Sequence, residues 1–73
     1  MPPENRDIAS IWDIVHAGHA VREFSEGFSR EQFVQDRKTH YAVIAQIEII
    51  GEATKRLSVA FRASHPAVPW KMI

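Results

Sequence analysis

Val43-Ile44-Ala45-Gln46-Ile47-Glu48-Ile49-Ile50-Gly51-Glu52-Ala53-Thr54-Lys55-Arg56-Leu57-Ser58-Val59-Ala60-Phe61 places Val43, Ile47, Ile50, Thr54, Leu57 and Phe61 at alternating spacings of four and three. That rhythm is the packing seam of an α-helix and rules out a strand, whose side chains alternate every two residues. Neither proline nor a cluster of loop residues interrupts the chain from Lys38 to about Ser64, so the pattern predicts one long helix there. At ~1.5 Å per residue it would extend close to 40 Å, more than a chain of this size can cover by itself. Ile44, Ile49, Gly51, Ala53 and Ala60 widen the apolar face, and the small residues among them admit a second backbone. Glu52 is spaced to pair with Lys55 and Arg56, contacts worth a few tenths of a kcal/mol each.

Upstream, Ile8, Ile11, Trp12, Ile14, Val15, Ala17, Gly18, Val21 and Phe24 fit helical spacing, predicting an amphipathic helix from Asn5 to about Phe24 with a wide apolar sector. Gly18 costs ~1 kcal/mol relative to alanine inside a helix, which suggests a close helix crossing there. Glu26-Gly27 supplies the stop. Ser29-Arg30-Glu31-Gln32 matches a capping box and starts a short helix from Arg30 to about Asp36, with Phe28 and Phe33 placed as a hydrophobic staple.

Downstream, Pro66 ends the long helix, and Val68-Pro69-Trp70 opens a new one with Pro69 at the first helical position. The expected fold is therefore all-α. It is an antiparallel helical bundle of a long helix, a short helix, a long helix and the start of a fourth, forming a single domain over residues 1–73. Trp70, Met72 and Ile73 close the sequence on large apolar side chains, so the bundle reads as lacking the rest of its fourth helix. The seam left bare predicts completion by another chain through Ile47, Ile50, Thr54, Leu57, Phe61 and Trp70.

Composition agrees with one small core. The chain has 73 residues, 45% of them hydrophobic and 25% charged, with nine Lys and Arg balancing nine Asp and Glu. A chain this short buries only a little over ~60% of its unfolded surface, so partner subunits matter to its stability. The balanced charge removes the global basic excess of a nonspecific nucleic-acid or membrane-surface binder. Without cysteine, disulfides and thiolate metal sites are excluded. No signal peptide or apolar run of ~20 residues is visible, so the expected location is the cytoplasm with no membrane contact.

Candidate sites outside the seam are weak. Arg37 and His40 are three apart at a helix start and read as solvated. His16, His19 and Glu23 share a helical face but lack a fourth ligand, so they read as surface groups and no metal or cofactor is expected. Arg37, Lys38, Lys55, Arg56 and Arg62 form a basic strip, yet Asp36, Glu48 and Glu52 interleave with it, as on a charge-laced solvent face. Trp12, Phe24, Phe28, Phe33, Phe61 and Trp70 fall at packing positions.

Three stretches carry a resemblance: Asp36-Arg37-Lys38-Thr39, Ile47-Glu48-Ile49-Ile50-Gly51-Glu52-Ala53-Thr54-Lys55-Arg56-Leu57-Ser58, and His65-Pro66-Ala67-Val68-Pro69-Trp70. In this order and at these separations the chain, from Arg6 to Ile73, resembles the HepT-like family of HEPN-domain proteins. The resemblance implies a helical bundle, usually dimeric, that acts as the ribonuclease toxin of a toxin–antitoxin pair. It further implies a minimal nucleotidyltransferase as the antitoxin partner, which inactivates the toxin by transferring nucleotide onto a tyrosine. The family's catalytic Arg and His, separated by four to six residues, belong to the helix that opens with the Pro-Trp pair. After Trp70 only Lys71, Met72 and Ile73 remain, so no residue of this chain inherits a catalytic role. In the family, His moves a proton and Arg stabilises phosphate charge in metal-independent RNA cleavage, which needs both groups within hydrogen-bond reach. Two expectations follow: part of a HepT-like toxin that is catalytically incompetent on its own, or a noncatalytic helical module for dimerisation or for binding the nucleotidyltransferase.

Overall fold

The computed structural model describes residues 3–73, with side chains from Asn5 onward. Four α-helices follow one another: α1 (Pro3–Ser25), α2 (Arg30–Gln35), α3 (Arg37–Lys55) and α4 (Val59–Ser64), and a 3₁₀ turn (Trp70–Met72) comes last. The fold is all-α and antiparallel: α1 packs along α3, and Asp7 near the start of α1 meets Ser58 just beyond the end of α3. Overall dimensions of 42 × 24 × 15 Å describe a slab one helix layer thick, since a helix with its side chains is ~10–12 Å across.

Local chemistry explains the corners. Gly27 adopts φ 81°, a left-handed conformation that glycine tolerates and most residues avoid, and so turns the chain after α1. The capping box forms as expected: the Gln32 N–H donates to Ser29 Oγ at 3.1 Å and the Ser29 N–H to Gln32 Oε1 at 2.9 Å. Asp36 ends α2 with extended backbone and also caps α3, its Oδ1 accepting from the Thr39 N–H at 3.0 Å. Phe33 stacks on His40 at 5.3 Å, tying α2 to the first turns of α3.

The single helix expected from Lys38 to Ser64 is two. The α3 backbone stops at Lys55, Leu57 turns inward with 2% of its surface exposed, and Ser58 becomes extended at ψ 155° to cap α4. Ser58 Oγ accepts the Phe61 N–H at 3.0 Å. The break is paid for by α1, because the Ser58 N–H and Oγ–H donate to the two carboxylate oxygens of Asp7, each at 2.7 Å. Pro69 also differs from expectation: it precedes a three-residue 3₁₀ turn, not the first turn of an α-helix.

The core between α1 and α3 is built of Ala17, Val43, Ala53 and Leu57, with Ser10 and Thr54 buried beside them. Thr54 satisfies its hydroxyl locally, donating to the Ile50 carbonyl at 2.7 Å. Neither Gly18 nor Gly51 marks a crossing within the chain, since a β-carbon built on either meets nothing within 4 Å. Small side chains at Ser10, Ala17 and Ala53 occupy the helix contact instead.

Asp7 gives a pH signature. The Ser58 hydroxyl, then the Ser58 N–H, hold its carboxyl below the usual aspartate range; desolvation opposes them, and nearby Arg6 adds to the lowering. A depressed carboxyl pKa favours the folded state above the unfolded value of ~4 and loses that advantage as pH falls toward the folded value. Asp7→Asn should therefore melt below the wild type at neutral pH, with the gap closing as the pH falls below the unfolded value of ~4. Thermal melts across that range check this; a gap that stays constant contradicts it.

Candidate functional site

Of the three stretches that carry the family resemblance, Asp36-Arg37-Lys38-Thr39 lies at the start of α3, while the other two meet at the opposite end of the slab, where α4 begins. Two acidic residues of α1 reach across to them: Asp7 binds Ser58, and Asp13 Oδ2 takes the Arg56 guanidinium at 3.0 Å. Arg56 is therefore joined to α1, while Glu52 pairs with Lys55, at 3.8 Å on the solvent side. Such exposed pairs contribute ~0–1 kcal/mol, so their main effect is to fix register.

His65, Trp70 and Phe61 form the second part. The Trp70 Nε1–H lies 3.1 Å from the Arg62 carbonyl and 3.0 Å from that of His65, closing the last turn of α4. His65 stacks on Phe61 at 4.4 Å and its Nδ1 is 3.0 Å from the Phe61 carbonyl; Trp70 meets Phe61 edge-on at 6.2 Å. The His65-Pro66 and Pro69-Trp70 pairs thus build an end-piece in which the histidine and the indole serve the backbone.

The six seam residues separate. Thr54 and Leu57 lie in the chain's own core, with 5% and 2% exposed, and Ile50, Phe61 and Trp70 are partly buried. Ile47 keeps 55% of its surface, beside Ile44 on α3. The helix packed along the α3 part of the seam is α1, which the spacing of the later segment did not identify as its partner.

The remaining candidates do not assemble. His16 stacks on Trp12 at 3.5 Å with its Nδ1 2.9 Å from the Trp12 carbonyl, and no three metal-ligating side chains cluster among the described residues. Arg37 lies over the Tyr41 ring at 5.9 Å, while His40 stacks on Phe33, so these two do not form a pair. With Lys55 and Arg56 in ion pairs and the Arg62 Nε buried without a partner, the basic strip is divided among local contacts. Sequence reasoning missed one feature, an exposed apolar row on α1: Ile8, Trp12 and Val15 retain 67%, 59% and 47% of their surfaces. Their spacing was visible, but its direction relative to α3 was not. No helix among the described residues is long and apolar enough to cross a membrane.

Comparison with known proteins agrees with this architecture. The family model described as Ribonuclease HepT-like matches residues 14–73. A protein of Thermococcus cleftensis named "Probable ribonuclease HepT" is 42% identical over 59 residues, covering 81% of this chain and 54% of that protein. A "Putative RNase" of Methanocaldococcus jannaschii is 39% identical over 67 residues, covering 90% and 62% respectively. One of Caldanaerobacter subterraneus is 48% identical over 48 residues, or 66% and 43%. The chain thus spans roughly half the length of these relatives, and no solved structure matches it. With the match extending over all but the first turns of α1, the chain belongs to the HepT-like ribonuclease family.

Proposed function

We propose that this chain is the helical platform of a HepT-like ribonuclease toxin in a toxin–antitoxin pair, working in the cytoplasm as a homo-oligomer. RNA is the substrate class of the assembled enzyme, and a minimal nucleotidyltransferase is its antitoxin. The observation that carries the reading is the family match over residues 14–73. The Asp7–Ser58 and Phe61–His65–Trp70 contacts support it, because they make a fixed base from which a further helix is positioned. Ile47, with Ile44 beside it, is the part of the expected seam left open to a partner, and we assign the antitoxin contact there.

On this reading the 73 residues do not cleave RNA by themselves. None of the histidines at 16, 19, 40 and 65 follows an arginine with four to six residues between. The Nδ1 atoms of His16 and His65 already lie at hydrogen-bond distance from backbone carbonyls. General acid–base catalysis requires a histidine free to exchange a proton beside a group that stabilises phosphate charge. Purified 73-residue protein should leave RNA intact under conditions where a version extended through an Arg-and-His motif of a relative degrades it. Equal cleavage by the two would overturn the assignment. The exposed row on α1 favours a second reading, a noncatalytic interaction module; this holds if the extended version is also inert while both forms bind the nucleotidyltransferase.

A further inference from the structure

We infer that the recess between α4 and the last turn is a phosphate site for single-stranded RNA, in which Arg62 and Lys71 hold a backbone phosphate and Trp70 lies beside the adjoining base. The inference deepens the proposed function and rests on RNA as its substrate class. What it adds is the place where this part of the molecule touches the strand.

The first argument is charge. The chain as a whole is neutral, but residues 53–73 hold Lys55, Arg56, Arg62 and Lys71, four of the nine basic residues, and none of the nine acidic ones. Two of the four are neutralised, Lys55 by Glu52 and Arg56 by Asp13. Arg62 and Lys71 have no ion pair among the described residues, and both line one recess that no carboxylate lines with them. Asp7, which reaches this end of the molecule from α1, engages both its oxygens with Ser58. A concave surface with charge of one sign and low-dielectric walls focuses the field and draws in ions of the other sign.

The second argument is how the cations are held. The Arg62 Nε is shut off from solvent with no acceptor among the described residues, so packing fixes this side chain and no counter-ion does. A charged group left in that state is costly, and an anion that joins it relieves the cost. Trp70 closes the turn that carries Arg62: its Nε1–H lies 3.1 Å from the Arg62 carbonyl and 3.0 Å from that of His65. Lys71 follows Trp70 directly. One contact therefore sets a planar guanidinium, an ammonium and an indole around the same space. The guanidinium fork matches two oxygens of a phosphate, and the ammonium meets it as a point charge.

The third argument is shape. The recess is an open one of about 590 Å³, with Val59, Val68 and Met72 giving it apolar walls beside Trp70. Cations for the backbone and an aromatic ring for a base are the pair of features by which proteins hold single strands. An open recess admits a strand that enters and leaves, whereas a duplex keeps its bases stacked inside. An apolar protein segment laid in the same place would bury two unpaired cations, which is strongly unfavourable.

The test is a fluorescence titration of the 73-residue chain carrying Trp12→Phe, so that Trp70 is the one tryptophan, with a single-stranded oligoadenylate of about 12 nucleotides. Trp70 emission should fall as RNA binds. Arg62→Gln and Lys71→Gln should each reduce the slope of log affinity against log salt by ~0.7 and weaken binding roughly 8-fold at about 50 mM salt. Arg30→Gln, on α2 beyond the opposite end of α3, should leave the slope unchanged. Circular dichroism follows folding, and if Arg62→Gln does not fold, Lys71→Gln at an exposed side chain decides. Unchanged Trp70 emission, or an unaltered slope in Lys71→Gln, overturns the inference. So does equal quenching by polyglutamate, which makes the recess a dock for acidic protein, or displacement of RNA by equimolar inorganic phosphate, which makes it a site for the free anion. In the extended version, RNA cleavage with a KM unmoved by Lys71→Gln overturns the inference and leaves the proposed function standing; RNA bound at Trp70 without cleavage has the opposite meaning.

Discussion

Leu57→Ala is expected to unfold the isolated chain. Leu57 is 2% exposed and is the largest side chain among the fully apolar buried residues, the others being Ala17, Val43 and Ala53. Deleting a buried leucine to alanine costs ~2–5 kcal/mol through lost transfer energy and the cavity that remains. A domain of 73 residues has ~4–11 kcal/mol in total at the usual value per residue, and a single-layer slab belongs at the lower end. Leu57 also sits at the break between α3 and α4, where its N–H donates to the Thr54 carbonyl at 3.2 Å, so no helical turn encloses the cavity on that side. Far-UV circular dichroism during urea titration measures the effect. Val59→Ala, at a residue with 75% exposure two positions on, should stay within ~0.5 kcal/mol of the wild type. A Leu57→Ala protein that unfolds at nearly the wild-type urea concentration would show that the core lies elsewhere.

The elements whose determinants are local were legible in the sequence. The capping box at Ser29 and Gln32, the stop at Gly27 and the start of α3 near Asp36 each depend on residues within four positions, and each is present. The break after α3 was not legible because its determinant is Asp7, 51 positions from Ser58. Without that carboxylate, Arg56-Leu57-Ser58 contains nothing that ends a helix, and the seam spacing runs through it to Phe61 undisturbed. The same reason explains the ion pairs: Glu52 and Arg56 have ideal helical spacing, but Asp13 of α1 takes the guanidinium. The motif residues carried the family because the identity of side chains at fixed separations survives without knowledge of their contacts. The exposed row on α1 escaped because periodicity shows that a helix is apolar on a face, not which neighbour covers it.

The sign of two substitutions at neighbouring positions decides where α1 and α3 meet. Glycine is the residue that sequence reasoning associates with close helix approach, which singles out Gly51. The structure places the contact two positions on, at Ala53, with 0% exposed, while a β-carbon at Gly51 meets nothing within 4 Å. Ala53→Leu forces extra carbon into the filled space between the helices and should destabilise by ~1–3 kcal/mol or more. Gly51→Ala removes backbone freedom from the unfolded chain without a clash and should stabilise by up to ~1 kcal/mol. At ~4–8 °C per kcal/mol for a chain of this size, the two melting temperatures should move in opposite directions and diverge by roughly 5–30 °C. Destabilisation by both would mean that another backbone approaches α3 at Gly51, and since α1 does not, that backbone would have to come from a second copy. The pair of melts, repeated at two protein concentrations, therefore separates packing within the chain from packing between chains: the Ala53 effect is independent of concentration, and any loss at Gly51 that grows with concentration places a copy on α3.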